Sequence, residues 1–280
     1  MSLIGIHISD ISDIMALVKS NNEKNVFKNI NLVQVFISAT TNYLDKKYES
    51  DLKFIRDNKI TLVVHGSYSI NLSRRWTTTD WWILQFIGEI KASEQIKAFG
   101  IVIHTGKKLD LSDSEAINNM YTALLYVHHN TEIHNHVKII IETASGQGSE
   151  TLTKIEDLCK FMNKFYSHPD KKVRERFGIC IDTCHIFAAG HDIRNEKDMN
   201  KFFGSIENAI GINKIKLCQI NDSKKGLGSK LDRHENIGYG EIGKEPILRV
   251  TKFMKKLEIP IVLETPSEHL EEDYLLLTNA

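Results

Sequence analysis

Short apolar runs recur along the chain, and longer stretches with helical spacing of apolar and polar positions separate most of them. The runs occupy 3–9, 32–38, 61–67, 100–106, 137–144, 177–184, 215–222 and 259–266. Most are rich in Ile and Val and nearly continuous in apolar character, the pattern of parallel strands covered on both faces. Helix-like stretches at 80–99, 112–127, 149–166, 198–210 and 244–257 lie between them. Eight strands alternating with helices predict an α/β fold, either a closed (β/α)8 TIM barrel or an open doubly wound sheet, and count and length favour the barrel. No G-x-G-x-x-G follows the first run, which weakens the dinucleotide-binding alternative. No linker rich in Gly, Ser or Pro divides the chain, so 1–280 is read as one barrel domain.

Composition adds exclusions. The chain is 41% hydrophobic and 26% charged, as in globular proteins with a substantial core. No apolar run reaches the roughly 18 residues of a membrane span. The first eight residues lack the basic-then-apolar layout of a signal peptide. An intracellular, soluble protein is expected, with cytoplasm and nucleus not distinguished. Four cysteines do not make a disulfide scaffold. Cys180 and Cys184 are placed on one strand, Cys159 and Cys218 in separate apolar stretches, and buried free thiols are expected. The formal net charge is zero, so any nucleic-acid binding requires positive charge gathered on one face.

The apolar stretches within the runs end in chemistry. His65 and His104 close 61–65 and 100–104, Glu142 and Asp182 close 137–142 and 179–182, and Glu264 closes 259–264. In a barrel these positions converge at the C-terminal rim, where such folds build their sites. His, Asp and Glu are the usual nitrogen and oxygen ligands of zinc and similar divalent ions. His185 lies three residues beyond Asp182, and the alternation of Asp232 and His234 would point both to one side of an extended loop. A single such residue is more often a cap or hydrogen-bonding group; five strand ends of this kind together point to a site. Clustered carboxylates repel one another unless cations neutralise them, and eight ligand-type groups exceed the needs of one tetrahedral ion. Two or three ions are expected, an arrangement suited to phosphodiester cleavage.

These residues sit in segments that resemble the endonuclease IV family of apurinic/apyrimidinic (AP) endonucleases. The segments are Val64-His65-Gly66-Ser67-Tyr68, His104-Thr105-Gly106, Glu142-Thr143-Ala144-Ser145-Gly146-Gln147-Gly148, Asp182-Thr183-Cys184-His185-Ile186-Phe187-Ala188-Ala189-Gly190, Asn221-Asp222-Ser223-Lys224, Asp232-Arg233-His234-Glu235-Asn236-Ile237-Gly238-Tyr239-Gly240 and Leu263-Glu264-Thr265-Pro266. They cover nearly the whole chain in family order. The resemblance implies a metal-dependent enzyme of base-excision repair that cuts the backbone 5′ to an abasic site in double-stranded DNA, leaving a 3′-hydroxyl and a 5′-deoxyribose phosphate. Additional 3′-end processing is left open. It implies zinc as the cofactor: one ion on His65 and His104 with Glu142 bridging to a second, the second also on Asp182 and Glu264, and a third on His185, Asp232 and His234. Glu142 and Glu264 would stand at the catalytic centre, and a monomer is the family's habit. Where the family has a further histidine ligand, this chain has Gln219. Glutamine is a poorer zinc ligand than imidazole, so the ion beside it is expected to be held more weakly or to be a harder metal such as manganese or magnesium.

Basic residues follow the rim strands: Arg74 and Arg75, Lys107 and Lys108, Lys224 and Lys225, Lys230 and Arg233. Lys107, Lys224 and Arg233 are the expected DNA contacts, with Tyr68 in the place of a family residue that enters the duplex. The family's inserted arginine after the second strand is not recognisable here. Trp76, Trp81 and Trp82 are expected to pack a helix rather than touch bases. The glycines around Tyr239 read either as a phosphate cradle or as a simple turn. Two alternatives remain at this point: a sugar isomerase-like barrel, and a DNA-binding protein weakened in catalysis by Gln219.

Overall fold

The computed structural model describes residues 3–20, 25–134 and 136–280; Met1 and Ser2, where the sequence reading began, lie outside them. Eight parallel strands close into a barrel: β1 (Ile4–Ile8), β2 (Leu32–Phe36), β3 (Thr61–His65), β4 (Gly100–Ile103), β5 (Lys138–Glu142), β6 (Phe177–Asp182), β7 (Ile215–Ile220) and β8 (Ile261–Leu263). Each pairs with its sequence neighbours, and β8 closes on β1 through Ile4–Ile261 and Ile6–Leu263. This excludes the open sheet. The strands are shorter than their apolar runs, most of which continue past the strand into the rim loops.

The principal outer helices are α1 (Asp13–Lys19), α2 (Glu49–Asp57), α3 (Trp81–Gln95), α4 (Asp113–Asn130), α5 (Ile155–Tyr166), α6 (Lys171–Arg176), α7 (Thr183–Ala188), α8 (Glu196–Ile210), α9 (Lys244–Lys256) and α10 (Leu270–Thr278). The predicted stretch at 149–166 begins as a loop, because the carboxylate of Glu150 folds back to accept from the amides of Gly146 and Gln147 at 2.9 and 3.0 Å. Cys184 lies on α7, not on a strand with Cys180: the chain turns at Asp182, whose side chain caps the helix. All four cysteines are free and buried. No helix among the described residues is long and apolar enough to cross a membrane.

Side chains on a strand alternate in direction, so half of each barrel strand faces the interior. A buried apolar cluster of Leu32, Val63, Val102, Ile140, Cys180, Leu217 and Val262 fills that interior with one residue from each of seven strands. On β1 the corresponding position, paired with Leu32 and Val262, is Gly5. A Cβ there would lie 1.9 Å from Leu32 O. One pleat further toward the C-terminal end, the same eight positions carry His7, Gln34, His65, His104, Glu142, Asp182, Gln219 and Glu264. The apolar plug thus ends in a polar ring.

Candidate metal centre

The ring converges on Glu142, which is buried. Its Oε2 lies 3.5 Å from His65 Nε2 and 3.2 Å from His104 Nε2, and its Oε1 lies 2.9 Å from His185 Nδ1. Asp232 Oδ1 is 3.2 Å from both His185 Nε2 and His234 Nε2, and His234 Nε2 is 3.6 Å from Asp182 Oδ2. Four overlapping groups have ligand atoms near enough to share a cation: His65, His104 and Glu142; Glu142, Asp182 and His185; His185, Asp232 and His234; and Asp182, Cys184 and His234. Glu142 and His185 join the first three.

Local structure aims these groups. Asp182 ends β6 and caps α7: its Oδ1 accepts from the His185 amide at 2.8 Å, which leaves Oδ2 for the interior. That cap is the reason for the three-residue spacing from Asp182 to His185. His234 is placed by a two-residue antiparallel ribbon in which Ser223 pairs with His234. Asn221 ties two sides together, donating to Asp182 Oδ2 at 2.7 Å and accepting from the Glu264 amide at 3.1 Å.

The imidazoles are oriented from behind. Since a carbonyl can only accept, His65 Nδ1–H donates to Gly66 O (2.8 Å), His185 Nδ1–H to Thr143 O (2.9 Å) and His234 Nδ1–H to Glu264 O (3.2 Å). His65 and His234 then present Nε2 to the carboxylates, and His185 turns Nε2 to Asp232 while its Nδ1–H also faces Glu142 Oε1; a backbone carbonyl behind the ring is the arrangement that fixes metal-binding histidines in other proteins. Among the described residues, Glu142 Oε2, His185 Nε2 and His234 Nε2 are buried without a hydrogen bond. Buried polar atoms left unpaired are costly, and ligands about 2.0–2.1 Å from a shared tetrahedral ion stand roughly 3.3 Å apart. Orphaned atoms at this spacing fit divalent ions.

Charge follows the same geometry. Burial opposes ionisation of Glu142, but His104 and His185 hold its carboxyl well below the usual range. Burial also opposes charge on His234, yet Asp182 and Asp232 push it up to about 9, and His185 is raised by the same competition with Asp182 and Glu142. Burial raises Asp182 and Glu264.

Not every expected residue takes its expected place. Glu264 belongs to the ring, but its Oε1 accepts from Gln219 Nε2 at 2.8 Å and from Gln34 Nε2. Gln219 directs its amide nitrogen, not its oxygen, at that carboxylate, and its Oε1 accepts from the Cys180 thiol at 3.0 Å. Two inward polar positions, His7 and Gln34, are not marked by strand ends. Gln34 also donates from Nε2 to His7 Nδ1 at 2.9 Å, and burial, aided by His65 and His234, lowers His7 to about 3. Their signal was available: both sit at the inward offset that His65 and Glu142 occupy.

Outside the ring, Tyr68 is exposed and stands against His65 and His104, with ring centroids 5.0 and 5.5 Å away. Burial and the nearby carboxylates raise its phenol, so it stays protonated. A groove of about 960 Å³ runs alongside, lined by Phe36, Ile37, Tyr68, Trp81 and Leu84 among others. Trp82 is fully buried and Trp76 donates to Thr122 Oγ1 at 3.1 Å, as packing residues do, whereas Trp81 is exposed in the groove. Arg75, Lys108 and Lys224 face Asp110, Asp113 and Glu235 at 3.4, 2.7 and 3.8 Å. Lys107, Lys230 and Arg233 gather around Gly146, Gln147 and Gly148 with no carboxylate partner among the described residues. The glycine turn is no phosphate cradle: the amides of Gly238, Ile242 and Gly243 already donate to the Asp222 carboxylate at 2.9, 2.9 and 3.2 Å.

A model of the xylose isomerase-like TIM barrel family matches residues 30–277. That group alone does not separate an isomerase from a nuclease. A putative endonuclease 4 of Acanthamoeba polyphaga mimivirus is 34% identical over 263 residues, covering 88% of this chain and 81% of its own. The chain belongs to the endonuclease IV family. A probable endonuclease 4 of Malacoplasma penetrans, 32% identical over 84% of this chain and 81% of its own, agrees. Endonuclease IV of Thermus thermophilus shares the fold, with a TM-score of 0.76 at 21% identity over 99% of both chains. Endonuclease IV enzymes are metal-dependent, and this family member has the clusters to bind metal.

Proposed function

We propose that this protein is a metal-dependent AP endonuclease of base-excision repair that hydrolyses the phosphodiester 5′ to an abasic site, leaving a 3′-hydroxyl and a 5′-deoxyribose phosphate. The observation that carries the reading is the ring in which His65, His104, Glu142, Asp182, His185, Asp232 and His234 aim nitrogen and oxygen atoms at one another with 2.9–3.6 Å separations.

Zinc is the proposed resident ion. His65, His104 and Glu142 would hold one ion and His185, Asp232 and His234 another. Glu142, Asp182 and Glu264 would hold a further one, more weakly, or a harder ion such as manganese or magnesium. When bound, such ions lower the pKa of water toward about 7 and neutralise phosphate charge. The protein's own groups do the rest. Glu142 links the clusters, while the backbone carbonyls behind His65, His185 and His234 keep each Nε2 on target. Lys107, Lys230 and Arg233 supply positive charge for phosphates on a molecule whose net charge is zero. Lys224, half engaged with Glu235, contributes less. Tyr68 and the apolar groove offer ring surface to a disrupted duplex, where an abasic nucleotide has already lost its stacking.

The test is product analysis on a duplex with one abasic site, beside the same duplex intact. Incision only at the lesion, with 3′-hydroxyl and 5′-deoxyribose phosphate ends, supports the reading; indifference to the lesion overturns it. Binding without incision would favour the DNA-binding alternative instead.

A further inference from the structure

The last turn of α4 and the segment leading from it to β5 carry an unusual density of histidines: His128 and His129 on the helix, His134 and His136 after it. A helix that leads into a barrel strand ends at the strand's N-terminal side, so this corner lies on the face opposite the metal ring. Residues 128, 129 and 132 bring two imidazoles and a carboxylate together, with ligand atoms all within 4.8 Å of one another. His128 Nε2 is 3.9 Å from Glu132 Oε1, and the two histidine rings are 5.3 Å apart.

His128 is the anomaly. Its side chain is fully buried, and both ring nitrogens lack a hydrogen-bond partner among the described residues. A buried imidazole normally finds a partner for each nitrogen, and one without any is a cost the fold has to offset. The adjoining His136 differs, because its Nε2 already meets Glu94 Oε2 at 2.7 Å. Burial, and next the charge of Arg176, lowers His128 to about 4, so near neutral pH it is uncharged and has a lone pair to give. The carboxylate of Glu132 is divided: Oε2 accepts from Lys172 Nζ at 3.3 Å, while Oε1 faces His128. The end of α4 adds the partial negative charge of a helix C-terminus, which favours a cation.

We propose that His128, His129 and Glu132 form a second metal site, taking a divalent transition ion of the zinc class on the face of the barrel remote from the catalytic ring. Two imidazoles and one carboxylate are a recognised donor set for zinc, with solvent completing the shell. The Arg176 guanidinium bonds Thr131 O at 3.2 Å, and its charge opposes a nearby cation. The site is therefore weaker than the ring and fills after it. Its contribution is to the stability of this corner, where α4 turns into β5, and it is independent of the nuclease assignment.

Equilibrium dialysis of the full chain against increasing free zinc, with metal counted by elemental analysis, tests it. His129→Gln and Glu132→Gln alter partly or wholly exposed side chains and leave the ring intact. Each should bind about one zinc fewer than the wild type at saturation, with cleavage of an abasic duplex unchanged. Equal zinc content in all three proteins overturns the proposal. A zinc-soaked crystal gives a second reading: an anomalous peak between His128 and Glu132 is expected, and ordered water alone at that position overturns the inference equally.

Discussion

Gln219 is the side chain that would reset part of the proposed metal centre. Its inward position is shared with seven polar neighbours, yet it turns a donor toward Glu264 and an acceptor toward the Cys180 thiol. A group donating to a carboxylate does not share a cation with it. Gln219→His should therefore raise the metal retained after extensive dialysis by up to one ion per chain; unchanged content, or three zincs already held tightly by the wild type, would contradict the assignment. Gln34 acts from the other side. Gln34→Leu removes a buried donor from both His7 and Glu264 and should cost about 1–3 kcal/mol of stability by denaturant titration. Titration gives a further expectation. In the metal-free protein His234, raised to about 9 from 6.5, contributes stability that is complete below pH 6.5 and lost as pH rises through about 9. Its proton must also leave when metal binds, so zinc affinity should climb between pH 7 and 9, with proton release that shrinks over the same range.

At the scale of elements, the strands and most of the long helices were legible because the apolar runs and their spacing follow from burial on both faces of a parallel sheet. His65, Glu142 and Asp182 were legible as strand ends, with His104 and Glu264 one residue beyond. His7 and Gln34 were missed because they precede the ends of their strands. What unites all eight is the inward pleat rather than the terminus, and that phase is visible only once the apolar layer beneath is known. The direction of Gln219's amide and the closure of the Tyr239 turn on Asp222 depend on contacts between distant segments, which no local pattern encodes. The turn makes its own prediction. A Cβ on Gly240 would sit 2.5 Å from Ser223 O and 2.6 Å from Asp222 Oδ1. Gly240→Ala should lower the melting temperature and displace the ribbon that carries His234, read as weaker zinc binding; a variant with wild-type melting and metal content would refute the packing argument. Asn221, which braces Asp182 and the Glu264 backbone, is the outer partner whose loss should matter most. Asn221→Ala is expected to reduce metal affinity or activity about 10–100-fold.

Across the whole molecule, charge is balanced in sum but not in place. Equal numbers of acids and bases leave no overall attraction for DNA, and several rim bases are spent on nearby carboxylates. Lys107, Lys230 and Arg233, which cluster around Gly146, Gln147 and Gly148, are the proposed phosphate contacts. Lys107→Ala should weaken duplex binding and reduce the log–log salt slope by about 0.9 for the lost contact. On the proposed reading the barrel separates its tasks: an apolar plug for stability, a polar ring for chemistry, and a basic arc for the substrate. The ring is the central claim, and titrating zinc into chelator-treated protein while following both bound metal and incision of an abasic duplex tests it most directly. Incision should be absent without metal and appear only as the chain takes up more than one ion. Full incision by the metal-free protein, or metal uptake that leaves incision unchanged, would contradict it.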